Sequence, residues 1–252
     1  MSRAENTRRR LVVGNWKMYG SRAFNAELLS AIQARWQGVH QAEVAVCPPF
    51  AYLQQAAELL AKSNIVLGAQ SLSEYEEGAF TGEVSARMLA DWQCRYVIVG
   101  HNERRRLQGE TDQRVAKKFI AARDADLIPV LCVGESEQDR DSGKALDTIG
   151  RQLSTVIDAA GLESFRRAVV AYEPVWAVGT GKTATPEQAQ EVHSFIRAQL
   201  GALGQSTRVL YGGSVKPDNA EQLFAKADID GALLGGASLK AEDFIAICQA
   251  AD

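Results

Sequence analysis

The sequence predicts an α/β protein built as a single closed (β/α)8 barrel, and three observations carry that reading. Short apolar runs recur eight times, segments of helical spacing separate them, and no linker-like break divides the 252 residues. Runs that are apolar at every position, instead of at alternate ones, suit parallel strands covered on both faces. Strand–helix alternation then implies a parallel sheet wrapped by helices, and eight units are enough to close it. An open doubly wound sheet is the alternative that the pattern alone leaves standing.

The runs are, in order, Leu11–Met18 (LVVGNWKM), Glu43–Pro49 (EVAVCPP), Ile65–Gln70 (IVLGAQ) and Tyr96–His101 (YVIVGH). Leu127–Gly134 (LIPVLCVG), Ala168–Pro174 (AVVAYEP), Thr207–Gly213 (TRVLYGG) and Gly231–Ala237 (GALLGGA) complete the set. Their starts lie about 22 to 41 residues apart, the length of a strand–helix unit, with no repeat at the level of letters. The clearest helix is Pro186–Leu203, which puts Ala189, Val192, Phe195, Ile196, Leu200 and Leu203 on one face. Thr185 is placed to N-cap it, Pro186 suits its first position, and Gln188 completes a capping box. Residues 1–10 read as an N-terminal extension and 11–252 as the barrel domain. The run Arg8-Arg9-Arg10 reads as a solvated tail.

Bulk properties exclude several function classes. With 46% apolar residues, 23% charged residues and a net charge of −3, the chain is an ordinary globular protein without a basic field for nucleic acid. No apolar stretch approaches the ~18 residues that span a bilayer, and the polar N-terminus lacks a signal-peptide core, so cytoplasm is the default compartment. The four cysteines (Cys47, Cys94, Cys132, Cys248) lie far apart with no C-x-x-C pair; three sit in or beside apolar runs, which suits core thiols, and nothing suggests a disulfide framework. Three histidines with no H-E-x-x-H or Cys/His cluster give a metal site little support. His40 and His193 fall in helical or linking segments and read as surface or packing residues.

Polar and glycine residues gather at the ends of the runs. Asn15 and Lys17 close the first, Gln70 the third, His101-Asn102-Glu103 the fourth, Gly134-Glu135 the fifth and Glu173 the sixth. Gly212-Gly213-Ser214 and Gly235-Gly236 close the last two. Taken singly, each is a surface carboxylate, a structural histidine or a tight turn. In a parallel α/β fold, however, all the C-terminal strand ends emerge on one face, so these residues converge there. Two glycine pairs expose backbone N–H groups where helix N-termini begin, which suits a phosphate dianion. Lys17 adds a cation, His101 a donor near neutral pH, and Glu173 a base. That inventory suits proton abstraction beside a carbonyl on a small phosphorylated molecule, followed by stabilisation of an enediolate.

The stretch AYEPVWAVGTGKT (171–183) ends like a nucleotide-binding loop, but the first glycine of G-x-x-x-x-G-K-[ST] would fall on Trp176. Gly179, Gly181 and Ala184 match G-x-G-x-x-A, yet three residues separate that match from the strand and the next helix has its own cap. A lid reading uses every letter. Pro174 stiffens one end, Lys182-Thr183-Ala184 forms the other, small residues lie between, and Trp176 latches the loop over Glu173.

Six stretches identify a family. NWKM (15–18), GAFTGE (78–83), GHNERR (101–106), AYEPVWAVGTGKTATPEQ (171–188), YGGSVKPDNA (211–220) and GALLGGASL (231–239) closely resemble the triosephosphate isomerase family, in order and spacing, from about residue 10 to the C-terminus. The resemblance implies the TIM barrel that gives the fold its name, a triose phosphate substrate, and neither cofactor nor metal. It implies interconversion of dihydroxyacetone phosphate and D-glyceraldehyde 3-phosphate, with Glu173 as the base and His101 as the neutral imidazole that polarises the carbonyl. This family is itself the standard illustration of that pair and of lid closure. By the same resemblance Lys17 and Asn15 contact substrate, Glu103 orients Lys17, and Gly179, Ser214, Gly235 and Gly236 bind phosphate through the backbone. The 71–82 loop is implied to enter a second copy of the chain, with Thr81 reaching the partner's site, which makes a homodimer the expectation.

One position departs from the family pattern. Asn102 stands where the family has a serine that contacts the resting glutamate, which leaves the resting place of Glu173 open. The same departure is what favours an alternative reading, a catalytically weakened sugar-phosphate-binding paralogue.

Overall fold

A computed structural model describes residues 8–177 and 183–252. Eight parallel strands close into a barrel in chain order. They are β1 (Leu11–Asn15), β2 (Glu43–Cys47), β3 (Ile65–Ala69), β4 (Tyr96–Val99), β5 (Ile128–Val133), β6 (Val169–Tyr172), β7 (Arg208–Tyr211) and β8 (Gly231–Leu234). Closure is made by β1, whose Leu11 sits in register with Glu43 of β2 on one side and Gly231 of β8 on the other. The open-sheet alternative is thereby removed.

Each strand starts within a residue of the apolar run that predicts it and stops one to three residues short of the run's end. Most of the polar and glycine residues at the run ends, among them Lys17, Gln70, His101, Glu173, Gly212 and Gly235, fall beyond the strands and leave the ladder at the C-terminal face. Consecutive apolar residues divide between two cores by the two-residue period of the strand. Leu11, Val13, Ala45, Cys47, Ile98 and Val130 fill the barrel. Their neighbours Val12, Val44, Val46, Val97 and Leu131 face the helices instead.

The helical layer starts with α1 (Arg22–Arg35), α2 (Leu53–Leu60), α3 (Ala86–Asp91), α4 (Asn102–Leu107) and α5 (Asp112–Asp124). It continues with α6 (Glu137–Asp141), α7 (Ala145–Ala160), α8 (Pro186–Gln199), α9 (Pro217–Phe224) and α10 (Ala241–Ala250). Helix α8 begins as its sequence dictates: the Thr185 hydroxyl accepts from the Gln188 N–H at 3.2 Å, and the Gln188 side chain accepts from the Thr185 N–H at 2.9 Å. It ends at Gln199, before the expected Leu203, because Gly201 takes a left-handed conformation (φ +54°) and turns the chain into a 3-10 segment, Gly201–Gln205. Leu200 and Leu203 are still buried. Among the described residues, no helix is long and apolar enough to cross a membrane.

The solvated-tail reading of the arginine run is wrong for these three residues. Arg8 Nε donates to Asp230 Oδ1 at 2.8 Å, and Arg9 donates to the carbonyls of His40, Gln41 and Ala42. Arg10 donates to the Phe224 carbonyl at 2.8 Å. Guanidinium forks satisfy a buried carboxylate, loop carbonyls and the last carbonyl of α9, and so fasten the entry to β1 against the floor of the barrel.

Candidate active site

The C-terminal strand ends surround a cavity of about 690 Å³ lined by Asn15, Lys17, His101 and Glu173, with Gly212–Ser214 and Gly235–Gly236 along one wall. Seven of the predicted site residues therefore meet: Asn15, Lys17, His101, Glu173, Ser214, Gly235 and Gly236. Glu103 stands beside them and accepts from Lys17 Nζ at 2.6 Å. Thr81 does not; it sits in the exposed tip of the 71–82 loop. Gly179 and the lid residues 178–182 lie outside the described residues.

Lys17 is held in an unusual way. Its φ of +53° is the left-handed conformation, which costs a non-glycine residue about 1–3 kcal/mol and persists only where the surroundings impose it. Here Asn15 Oδ1 accepts the Lys17 N–H at 3.0 Å, and Gln70 Nε2 donates to the Lys17 carbonyl at 2.7 Å and to the Cys47 carbonyl at 2.9 Å. The ends of β1 and β3 thus fix the lysine backbone, Gln70 is itself braced against the end of β2, and Glu103 aims the lysine ammonium. The clamping role of Gln70 was not read from the sequence; its strand-end position was the only signal.

His101 occupies the N-cap position of α4, with Nδ1 accepting from the Glu103 N–H at 3.3 Å. A lone pair used there leaves the ring proton on Nε2, which faces Glu173 Oε1 at 2.9 Å. Glu173 is 2% exposed and lies against Asn102, whose backbone N–H donates to Oε2 at 2.9 Å and whose Nδ2 donates to Oε1 at 2.8 Å. The question of where Glu173 rests is answered: the asparagine makes two contacts from one residue.

These contacts set the acid–base balance. Burial alone would push the Glu173 carboxyl up, but the His101 ring and the two Asn102 donors outweigh it and hold the group below the usual carboxylate range. Burial lowers His101, and the facing Glu173 carboxylate, as charge and as acceptor, more than reverses this. The upward shift belongs to the resting arrangement. If Glu173 moves off the ring, its part of that shift goes with it, while burial and the helix N-terminus remain to favour neutral imidazole.

Backbone geometry leaves no slack around the base. A Cβ on Gly134 would lie 1.8 Å from the Glu173 carbonyl oxygen, and one on Gly212 would lie 2.9 Å from Glu173 Cγ. Gln152 fixes the Gly134 peptide from both sides, accepting from its N–H at 2.8 Å and donating to its carbonyl at 3.1 Å. Past Glu173, Trp176 Nε1 donates to Glu135 Oε1 at 2.7 Å, and Tyr172 and Arg140 donate to the same oxygen. The Arg140 guanidinium also lies over the Trp176 ring, 4.9 Å from its centroid. Glu135, seen in the sequence only as a strand-end residue, is therefore where the N-terminal side of the loop is tied down.

Comparison with known proteins agrees with this geometry. The family profile described as triosephosphate isomerase matches residues 10–251. A triosephosphate isomerase of Thiobacillus denitrificans is 57% identical over 97% of this chain and 99% of its own length. Those of Dechloromonas aromatica and Cupriavidus taiwanensis are 55% and 56% identical, over 97% and 96% of this chain and the full length of each relative.

Proposed function

The chain belongs to the triosephosphate isomerase family and interconverts D-glyceraldehyde 3-phosphate and dihydroxyacetone phosphate; we propose that Glu173 carries the proton between the two carbons and His101 the proton between the two oxygens. The observation behind this assignment is the placing of the Glu173 carboxylate against His101 Nε2 at 2.9 Å, in the same cavity as Lys17 and both glycine turns. Substrate phosphate is held at the Ser214, Gly235 and Gly236 backbone, with Gly179 added by the lid. Lys17 and Asn15 meet the oxygens at the reacting end. Glu173 leaves the Asn102 donors, and without them in a water-excluded site its basicity rises. It takes the hydrogen from the carbon beside the carbonyl, and the electron pair left behind makes the enediolate. Lys17 offsets the negative charge and His101 Nε2–H bonds the oxygen on which it collects. Proton transfer between oxygens through His101, then return of the proton from Glu173 to the neighbouring carbon, completes the exchange. A step of this kind serves sugar breakdown and sugar synthesis alike.

A coupled assay with glyceraldehyde 3-phosphate on the wild-type chain and on Glu173→Asp tests the assignment. Withdrawing the carboxylate by one methylene should cost about a hundredfold in kcat, the scale of an ångström's misplacement. A wild-type chain that binds triose phosphate without turnover would favour the weakened-paralogue reading instead.

The proposal includes a homodimer in the cytoplasm. Beside the site a cleft of about 530 Å³ runs past Lys17, Gln70 and Leu107, where Met18 (93%), Tyr19 (59%) and Leu107 (69%) are exposed. The 71–82 loop exposes Tyr75 and Phe80, their rings stacked 3.9 Å apart. A two-fold axis would let the loop of each copy fill the cleft of the other, which supports this mode of pairing. Four buried, unpaired cysteines suit a reducing compartment.

A further inference from the structure

We propose that the opposite, N-terminal end of the barrel holds a second binding site, for a small multiply charged oxyanion of pyrophosphate type, cradled by Arg95, Arg166, Arg167 and Arg208. A cavity of about 280 Å³ opens there, where the starts of β4 to β7 emerge, at the far end of the barrel from Glu173. Four guanidinium groups line it, and Asp126 is the one carboxylate among its lining residues.

The wall is built, not incidental. Arg208 is pinned from below: Nη1 donates to Glu43 Oε2 and Nη2 to the Tyr96 hydroxyl, both at 2.7 Å, and Tyr96 in turn donates to Glu43 at 2.8 Å. Arg95 shares the same carboxylate, its Nη1 lying 3.0 Å from Glu43 Oε1, so one buried acid serves two arginines. Arg167 contacts Asp126 at 2.9 Å, and Arg166 pairs with Glu163. Each fork carries five N–H donors, and these contacts occupy only part of each set. The side chains of Arg95, Arg166 and Arg167 are 53–64% exposed, so solutes reach them.

Positive charge is also in excess around this opening. Arg123 donates to the Arg167 carbonyl at 3.4 Å, and its Nε is buried without a partner. Burial and the neighbouring Arg167 both hold Arg123 below its ordinary value. An oxyanion seated among forks takes paired N–H donors and relieves their mutual repulsion, which a row of single lysines would do less well. The cavity, at about 280 Å³, has more room than one phosphoryl group fills, so two linked groups suit it better than one.

The test is a titration of the full chain with pyrophosphate, followed through backbone amide NMR at low salt, where surface electrostatics are least screened. The amides around Arg95, Asp126, Arg166, Arg167 and Arg208 should shift and saturate with a Kd of about 1 mM or tighter. Arg166→Ala combined with Arg167→Ala should weaken that binding about tenfold or more, with kcat and KM for triose phosphate unchanged. Both replaced side chains are exposed, so folding is not at issue. The proposal is overturned if the floor amides stay still, shift without saturating, or respond equally in the doubly substituted chain.

Discussion

Asn102 shows how much one side chain at a strand end decides. Its backbone N–H and its amide together hold both oxygens of Glu173, so the base is parked as a carboxylate. A serine would keep the backbone contact and reach for the other with a hydroxyl. Asn102→Ser should therefore change kcat/KM by less than about tenfold (~1.4 kcal/mol); a larger rise in steady-state assays would mean that the amide restrains the base during turnover. Asn102→Ala is the sharper probe. The resting carboxyl is held below its usual range, so activity is present above that folded pKa and is lost as pH falls through it. Removing one donor raises the folded pKa, and the acid limb of kcat/KM, which reports the free enzyme, should move to higher pH. An unmoved limb would show that the backbone N–H and His101 fix the ionisation alone. Gly134→Ala is expected to abolish activity, because its Cβ would overlap the Glu173 carbonyl, 1.8 Å away, with backbone on both sides.

At the scale of elements, α8 joins the lid region to the barrel core. His193 on this helix is fully buried beside Tyr172 and Tyr211, its Nδ1 3.2 Å from the Asp228 carbonyl. Burial pushes its pKa down to about 4. The unfolded chain takes up this proton near its ordinary value of about 6.5, so stability is fully present above that pH and falls until the folded form protonates too. The loss across that window is about 3 kcal/mol. Thermal melts between pH 7 and 4 should show it, and His193→Gln should flatten the slope; an unchanged slope would assign the acid sensitivity elsewhere. The start of α8 was legible because capping is local, written within four residues at Thr185–Gln188. Its end was not, since apolar spacing continues through Leu203 while the conformation of Gly201 stops the helix. The same limit explains the site. His101 and Glu173 were legible as strand ends on a common face. The Gln70 grip on Lys17 and the Glu135 tie to Trp176 join residues 53 and 41 positions apart, and only the closed barrel brings them together. Arg8–Arg10 misled for that reason as well, because their acceptors lie 31 to 222 positions away along the chain.

For the whole molecule, the exposed apolar side chains that matter are Met18, Tyr19 and Leu107 along one cleft and Tyr75 and Phe80 on the 71–82 loop. Ser71, Leu72 and Ser73 are buried and the Ser73 N–H reaches the Val84 carbonyl at 2.7 Å, so the base of the 71–82 loop is rigid while its tip is exposed. A loop anchored at its base loses less conformational freedom on association than a free one, which favours a partner surface of fixed shape. The cleft edged by Met18, Tyr19 and Leu107 is such a surface, and its inner wall is formed by Asn15, Lys17, His101 and Glu103. Filling it would cover the back of the lysine and shield the Lys17–Glu103 pair, whose side chains are 24% and 39% exposed. Association and catalysis should therefore be linked. Replacing Tyr75 and Phe80 together with aspartate puts two charges into the proposed interface without touching the cavity. Light scattering should then report half the wild-type mass, and turnover should fall about tenfold or more as Lys17 loses its cover. A wild-type chain that proves monomeric and fully active, or a charged variant that dissociates with kcat intact, would uncouple the reaction from the pairing.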